Sequence, residues 1–208
     1  MRGIGNNYIT TTGNESDREN TNAYKWVFEG KAIDIRCEGN IENLLDYETV
    51  AKGEHPSMEA YCYNRMFDGC SKLIMPPELS AISLSTCCYQ GMFSGCTNLK
   101  TAPKLPALVL AFGCYDSMFS ECSKLEVLPR LPDVISLESF CYGHMFANCS
   151  NIKISTEKSK EYQTRYVIAA RDGNTPFRSV YGMFTDTGGS YKGTPSINTS
   201  YYTSNKVI

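Results

Sequence analysis

Ten cysteines beside only two histidines are the residues of this 208-residue chain whose types could do chemistry. Disulfide bridging, zinc binding and thiol catalysis are the three uses to weigh. Eight of the ten fall into pairs: Cys62 with Cys70, Cys88 with Cys96, Cys114 with Cys122, and Cys141 with Cys149. That is C-x7-C spacing, not the short C-x-x-C type of a zinc site, and His55 and His144 stand alone, so no metal is expected. A thiol nucleophile needs a base beside it, and no cysteine recurs at a fixed offset from a histidine. Asp and Glu are scattered, and Thr187-Gly-Gly189 lacks the lysine of a phosphate loop. The expectation is a protein without catalytic residues or cofactors, hence not an enzyme. Cys37 and Cys87 lie outside the pairs and are expected to be the more reactive or exposed thiols.

The pairs belong to a repeat. The chain reads CYNRMFDGCSKL from Cys62, CYQGMFSGCTNL from Cys88, CYDSMFSECSKL from Cys114 and CYGHMFANCSNI from Cys141, with starts 26, 26 and 27 residues apart. Pro77, Pro103 and Pro129 each follow the motif leucine by four residues. A degenerate copy surrounds Tyr181-Gly-Met-Phe184, where Ser179 stands at the cysteine position. Periods of this length signal one supersecondary unit per repeat, stacked on its neighbours because no single copy can bury its own apolar face.

At roughly 100° per residue, Cys62, Tyr63, Met66, Phe67, Cys70 and Leu73 share one helical face, with Cys70 near its centre, so the motif is predicted to be a short helix. The prolines that follow force an extended return, predicted as a short strand near Leu99 to Ala102 in the second copy. The expected fold is α/β: a leucine-rich-repeat solenoid of about four 26-residue coils, each a short strand plus a short helix. Stacking would place Cys62, Cys88, Cys114 and Cys141 in one ladder and Cys70, Cys96, Cys122 and Cys149 in a second. Phe67, Phe93, Phe119 and Phe146 would form a third. Residues eight apart on a helix are about 12 Å apart along its axis and a disulfide needs Cα atoms within about 7 Å, which argues against bridges within a copy; bridges between copies stay open, and regular stacking in a reducing compartment favours reduced ladders.

The MFxxCxxL core with its proline-bearing return resembles the cysteine-containing leucine-rich repeats of BspA-like proteins, and CYxxMFxGCxxLxxxPxLP is similar to copies in Bacteroidales and their phages. The resemblance covers about residues 57–152. It implies a surface-exposed binding or adhesion module, or a part of a phage virion. Residues 1–22 are rich in Asn, Thr, Gly and Ser and lack the apolar stretch of an export signal, which favours a virion component over a bacterial cell-surface adhesin.

Around the repeats, residues 1–22 read as a polar arm and 23–56 as an N-terminal cap. In that cap, alternation at Tyr24, Trp26, Phe28 and at Ile33, Ile35, Cys37 suggests a hairpin, and Asn40 could cap a helix carrying Ile41, Leu44 and Leu45. Residues 57–152 are the repeat body. Residues 153–208 read as the degenerate repeat, a strand-rich cap and a polar tail from Asn198 with little core content. Tyr191, Tyr201 and Tyr202 in that region are the candidate contact residues. A net charge of -2 and a pI near 5.8 disfavour nucleic acid. The longest nearly apolar run, Leu105 to Phe112, is broken by Pro106 and too short to span a membrane. The partners expected are other protein subunits, further copies of the chain, or a host-surface protein or glycan.

Overall fold

The structure, a computed structural model, describes residues 34–208. In chain order the elements are β1 (Ile35–Arg36), α1 (Asn43–Ala51), β2 (Leu73–Met75), β3 (Val127–Leu128), β4 (Lys153–Ser155), β5 (Thr164–Tyr166), β6 (Gly188–Gly189), β7 (Tyr201–Thr203) and β8 (Lys206–Val207). They make three small separate sheets: β1 beside β2, β3 beside β8, and a four-stranded sheet in the order β5-β7-β4-β6.

The helical reading of the motif is wrong, and with it the strand-plus-helix, α/β solenoid. Among the described residues α1 is the one α-helix, and it lies outside the repeats. The motif segments are instead runs of tight turns with a four-residue period. Tyr61, Arg65 and Gly69 have positive φ, as do Cys87, Gly91 and Gly95, then Gly113, Ser117 and Glu121. The same phase continues through Phe140, His144 and Asn148 and into the degenerate copy at Arg178, Gly182 and Asp186. Left-handed residues at every fourth position forbid an α-helix.

Hydrogen bonding explains why the turns win. Alternate N–H groups close turns within a copy, as Met66 N–H does on Tyr63 O (3.2 Å). The intervening ones donate to the next copy: Tyr63 to Cys88 O (2.8 Å), Tyr89 to Cys114 O (3.0 Å), Tyr115 to Cys141 O (3.0 Å) and Tyr142 to Ser179 O (2.8 Å). A helix would satisfy these donors internally, but a segment so short and rich in Gly, Ser, Asn and aromatic residues is a poor helix former. Burial does not discriminate, because positions i, i+1, i+4 and i+5 share a side in both geometries.

The predicted strand at Leu99 to Ala102 shrinks to a single parallel bridge between Thr101 and Val127, as the flanking prolines supply no ladder donors. What the extended returns lack in sheet, the side chains provide. Phe67, Phe93, Phe119, Phe146 and Phe184 form a continuous pile with successive centroids 5.5, 5.6, 5.7 and 6.1 Å apart and rings within 8° of parallel. Tyr63, Tyr89, Tyr115 and Tyr142 pile beside it at 5.5, 6.0 and 5.8 Å.

Both ends differ from expectation. The arm 1–22 and the first half of the anticipated hairpin lie outside the described residues; its second half, β1, pairs in parallel with β2. Helix α1 is broken at Asp46 (φ -149°, ψ 98°), whose carboxylate accepts the N–H groups of Glu48 (3.0 Å) and Thr49 (3.3 Å) and so restarts the helix as a cap. Asn40 Oδ1 accepts the Glu42 N–H (2.9 Å) just ahead of it. The tail from Asn198 is not a polar arm. It carries β7, central in the largest sheet, and β8, which pairs with β3. Asn205 fastens it, its amide donating to Glu126 O (3.1 Å) and Asn151 O (3.0 Å) while accepting the Lys153 N–H (2.7 Å).

Candidate functional site

The thiols are built into the stack as structural donors. All ten cysteines are described, and none is in a disulfide. Cys96 Sγ donates to Phe67 O (3.1 Å), Cys122 Sγ to Phe93 O (3.1 Å) and Cys149 Sγ to Phe119 O (2.9 Å). Each acceptor carbonyl already receives the N–H three residues on, so every rung is doubly tied. Cys62, Cys88, Cys114 and Cys141 are fully buried, and the weaker sulfur bonds of Cys114 to Cys141 O (4.0 Å) and of Cys141 to Ser179 O (3.7 Å) run along that ladder. Burial pushes the thiols of Cys88, Cys141 and Cys149 up to about 12. Such groups are poor nucleophiles.

Cys70 departs from its equivalents and is half-buried, since no earlier copy offers it a phenylalanine carbonyl. Cys87 is not the exposed thiol expected: it is buried, in a left-handed turn with Gly113 packed against it. Cys37 is half-buried, and desolvation together with Cys70 raises its thiol above the ordinary range.

The histidines sit in different settings. His55 Nδ1 lies 2.9 Å from the fully buried Glu42 carboxylate, which also accepts the Ser80 hydroxyl, beside a cavity of ≈ 280 Å³ lined by Pro56, Met58 and Ile82. This cluster ties the loop after α1 to the first copy. His144 Nδ1 is 3.8 Å from Asp116 Oδ1, at the end of a side-chain chain in which Asn64 donates to Gln90 and Gln90 to Asp116, both at 3.0 Å. Burial raises the Asp116 carboxyl above the usual carboxylate range, opposed by Gln90 and His144. Among the described residues no three Cys, His, Asp or Glu side chains converge as a metal site.

Of the tyrosines singled out for contact, Tyr201 is a core residue: it is 4% exposed, its ring lies 5.0 Å from Tyr191 and its hydroxyl accepts the Ser196 N–H (2.8 Å). It is buried because its face of β7 packs on Phe184 and Tyr191. Tyr191 packs on the same core and Tyr202 is half-buried.

The exposed aromatic surface lies elsewhere, on residues just ahead of the motif in its later copies. Phe112 and Phe140 meet at 5.5 Å and 57°, and Phe140 and Phe177 at 5.5 Å and 77°. The Arg178 guanidinium lies over Tyr181 (5.0 Å), Phe177 (5.1 Å) and Phe140 (5.9 Å). His144 closes the group edge-on to Tyr181 at 5.3 Å, in a space that a Cβ at Gly182 would fill. Phe177 is 66% exposed, Tyr181 45% and Phe112 43%. Ile82, Leu108, Val109 and Ile135 are further exposed apolar side chains, on the returns between copies. The sequence signal for this surface is the aromatic one or two residues before Cys114, Cys141 and Ser179; Tyr61 holds the same place before Cys62, and only the second copy, with Thr86 and Cys87, lacks one.

No helix among the described residues is long and apolar enough to cross a membrane. Comparison with known proteins finds no matching family, no similar curated protein and no similar solved structure.

Proposed function

We propose that this protein is a non-enzymatic structural and binding module whose stacked turns hold an aromatic and arginine surface rigid for docking onto another protein subunit. The observation that carries the reading is the cluster of Phe112, Phe140, Phe177, Arg178 and Tyr181. Large rings left in water around an arginine are the composition of interface hot spots, and their backbone is fixed by the rungs beneath. Phe140 (φ 58°) and Arg178 (φ 53°) occupy left-handed positions where glycine, as at Gly113, is cheaper by about 1 kcal/mol. Tyr61 and Cys87 hold the same left-handed slot in the first two copies, so the turn ribbon itself fixes this backbone. The motif resembles repeats of Bacteroidales and their phages, which implies a surface adhesion module or a virion part, and the virion is the assembly taken for the test. The test is electron microscopy of purified virions carrying wild-type chain or Phe177→Ser/Tyr181→Ser. The expected result is density for the chain with this surface at a subunit contact and loss of incorporation in the variant. Virions lacking the chain, or incorporation unchanged by the variant, would overturn the reading.

A further inference from the structure

We infer that the aromatic and arginine surface takes an acidic polypeptide segment, in which a carboxylate pairs with Arg178 and a neighbouring apolar side chain packs on the exposed rings of Phe177 and Tyr181. This deepens the docking role proposed above and rests on it. Three observations select that partner chemistry.

Charge is the first. Arg178 is exposed and forms no ion pair among the described residues, whereas Arg171 pairs with Asp133 and Arg65 with Asp68. A guanidinium lying against rings spends none of its N–H donors on them as ion pairs, and its planar fork matches a carboxylate in bidentate fashion. The surface thus offers one unanswered cation in an apolar frame.

Ring geometry is the second. The rings of Phe112, Phe140 and Phe177 are inclined at 57° and 77° to one another, and Tyr181 stands at 82° to His144. Phe177 and Tyr181 remain 66% and 45% exposed, and large exposed rings beside an arginine suit an anchoring apolar side chain.

The third is the acceptor and donor balance around the site. Asp116, the nearby carboxylate of the cluster, is turned inward to Gln90 and faces His144, so it does not compete for Arg178. With a net charge of -2 and an acidic pI, the chain has no basic field to hold a polyphosphate, so a carboxylate is the better anion.

The experiment titrates the full chain with three blocked hexapeptides, alternating Asp/Phe, Asn/Phe and Lys/Phe, and with sialyllactose as the anionic glycan probe, following chemical shifts at low and high salt. The expected result is saturable binding of the Asp/Phe peptide, with the largest shifts at Phe177, Arg178 and Tyr181. The Asn/Phe peptide binds at least about tenfold more weakly, and salt removes the difference. Arg178→Gln abolishes the preference without lowering the melting temperature, and Arg178→Lys, which keeps charge but loses the fork, retains part of it. Equal binding of the Asp/Phe and Asn/Phe peptides at this surface would overturn the acidic-partner inference while leaving the docking role intact. Binding of sialyllactose alone, or of no probe, would overturn both.

Discussion

The thiol of Cys122 donates to the main-chain carbonyl of Phe93, 3.1 Å away and one copy earlier in the stack. The bond is a lateral tie between copies, and the carbonyl also receives the Cys96 N–H at 3.1 Å. Replacing Cys122 by Ala is expected to cost about 1–2 kcal/mol, for the lost tie and a small void. Cys122→Asp, which buries an uncompensated charge, should cost several kcal/mol or prevent folding. Urea denaturation checks both, and a Cys122→Asp variant as stable as wild type would remove the ladder from the stability argument.

The same burial sets a pH dependence. Cys88, Cys141 and Cys149 have thiols raised to about 12 in the folded chain from an ordinary 9.0. Between those values the unfolded chain has released protons that the folded chain still holds, so stability falls as pH rises. The stabilisation is complete below about pH 9 and declines above it, by up to about 1.4 kcal/mol per pH unit for each thiol. Melting temperatures should be level from pH 7 to 8 and drop steeply above 9. Alanine at Cys88 should flatten the drop.

Not every buried polar atom in the tyrosine pile is satisfied. Tyr63 Oη donates to Ile41 O at 3.2 Å, whereas the hydroxyls of Tyr89 and Tyr142 are buried without a partner. Tyr63→Phe is expected to lose about 1 kcal/mol. Tyr89→Phe and Tyr142→Phe should be neutral or gain up to about 1 kcal/mol, because an unsatisfied buried hydroxyl is removed. Denaturant midpoints that fall equally in all three variants would show that the hydroxyls of Tyr89 and Tyr142 are bonded in solution.

The four-residue turn period can be tested on the backbone. Ser117 has φ 55°, so Ser117→Gly should stabilise by about 0.5–1 kcal/mol through relief of left-handed strain. Gly113 also has positive φ, and a Cβ there would stand 2.9 Å from Cys87 Sγ, so Gly113→Ala should destabilise by about 2 kcal/mol. A helix in this segment would reverse both signs, since glycine weakens a helix and alanine strengthens it. Thermal melts of the two variants therefore separate the geometries.

Truncation tests the tail. Removing residues 201–208 deletes β7 and β8, exposing the partner edges of β3, β4 and β5 and the aromatic core around Phe184. The expected outcome is a large drop in melting temperature. A disordered arm could be removed without effect.

Spacing alone carries the repeat, its 26- to 27-residue period and the inward-facing side chains: Tyr63, Phe67 and Cys96 and their equivalents are buried as their recurrence demands, and Cys70 is the half-buried exception. Spacing fixes these because equivalent apolar residues must stack. It did not determine the backbone, because burial at i, i+1, i+4 and i+5 fits a helix and a four-residue turn ribbon equally well. The choice was made by N–H groups such as that of Tyr63, which find the carbonyl of Cys88 in the next copy and not one in their own. The recurring Gly69, Gly95, Asn148 and Asp186 are the local trace of that choice, as residues tolerant of positive φ. Only the tertiary structure could decide the fate of the tail, where polar composition suggests an arm but Tyr201 completes an aromatic core shared with Phe184 and Tyr191. The aromatic ahead of Cys114, Cys141 and Ser179 is a trace of the surface made by Phe112, Phe140, Phe177 and Arg178, but which rings meet, and that Arg178 lies over them, is set by long-range packing that spacing does not encode.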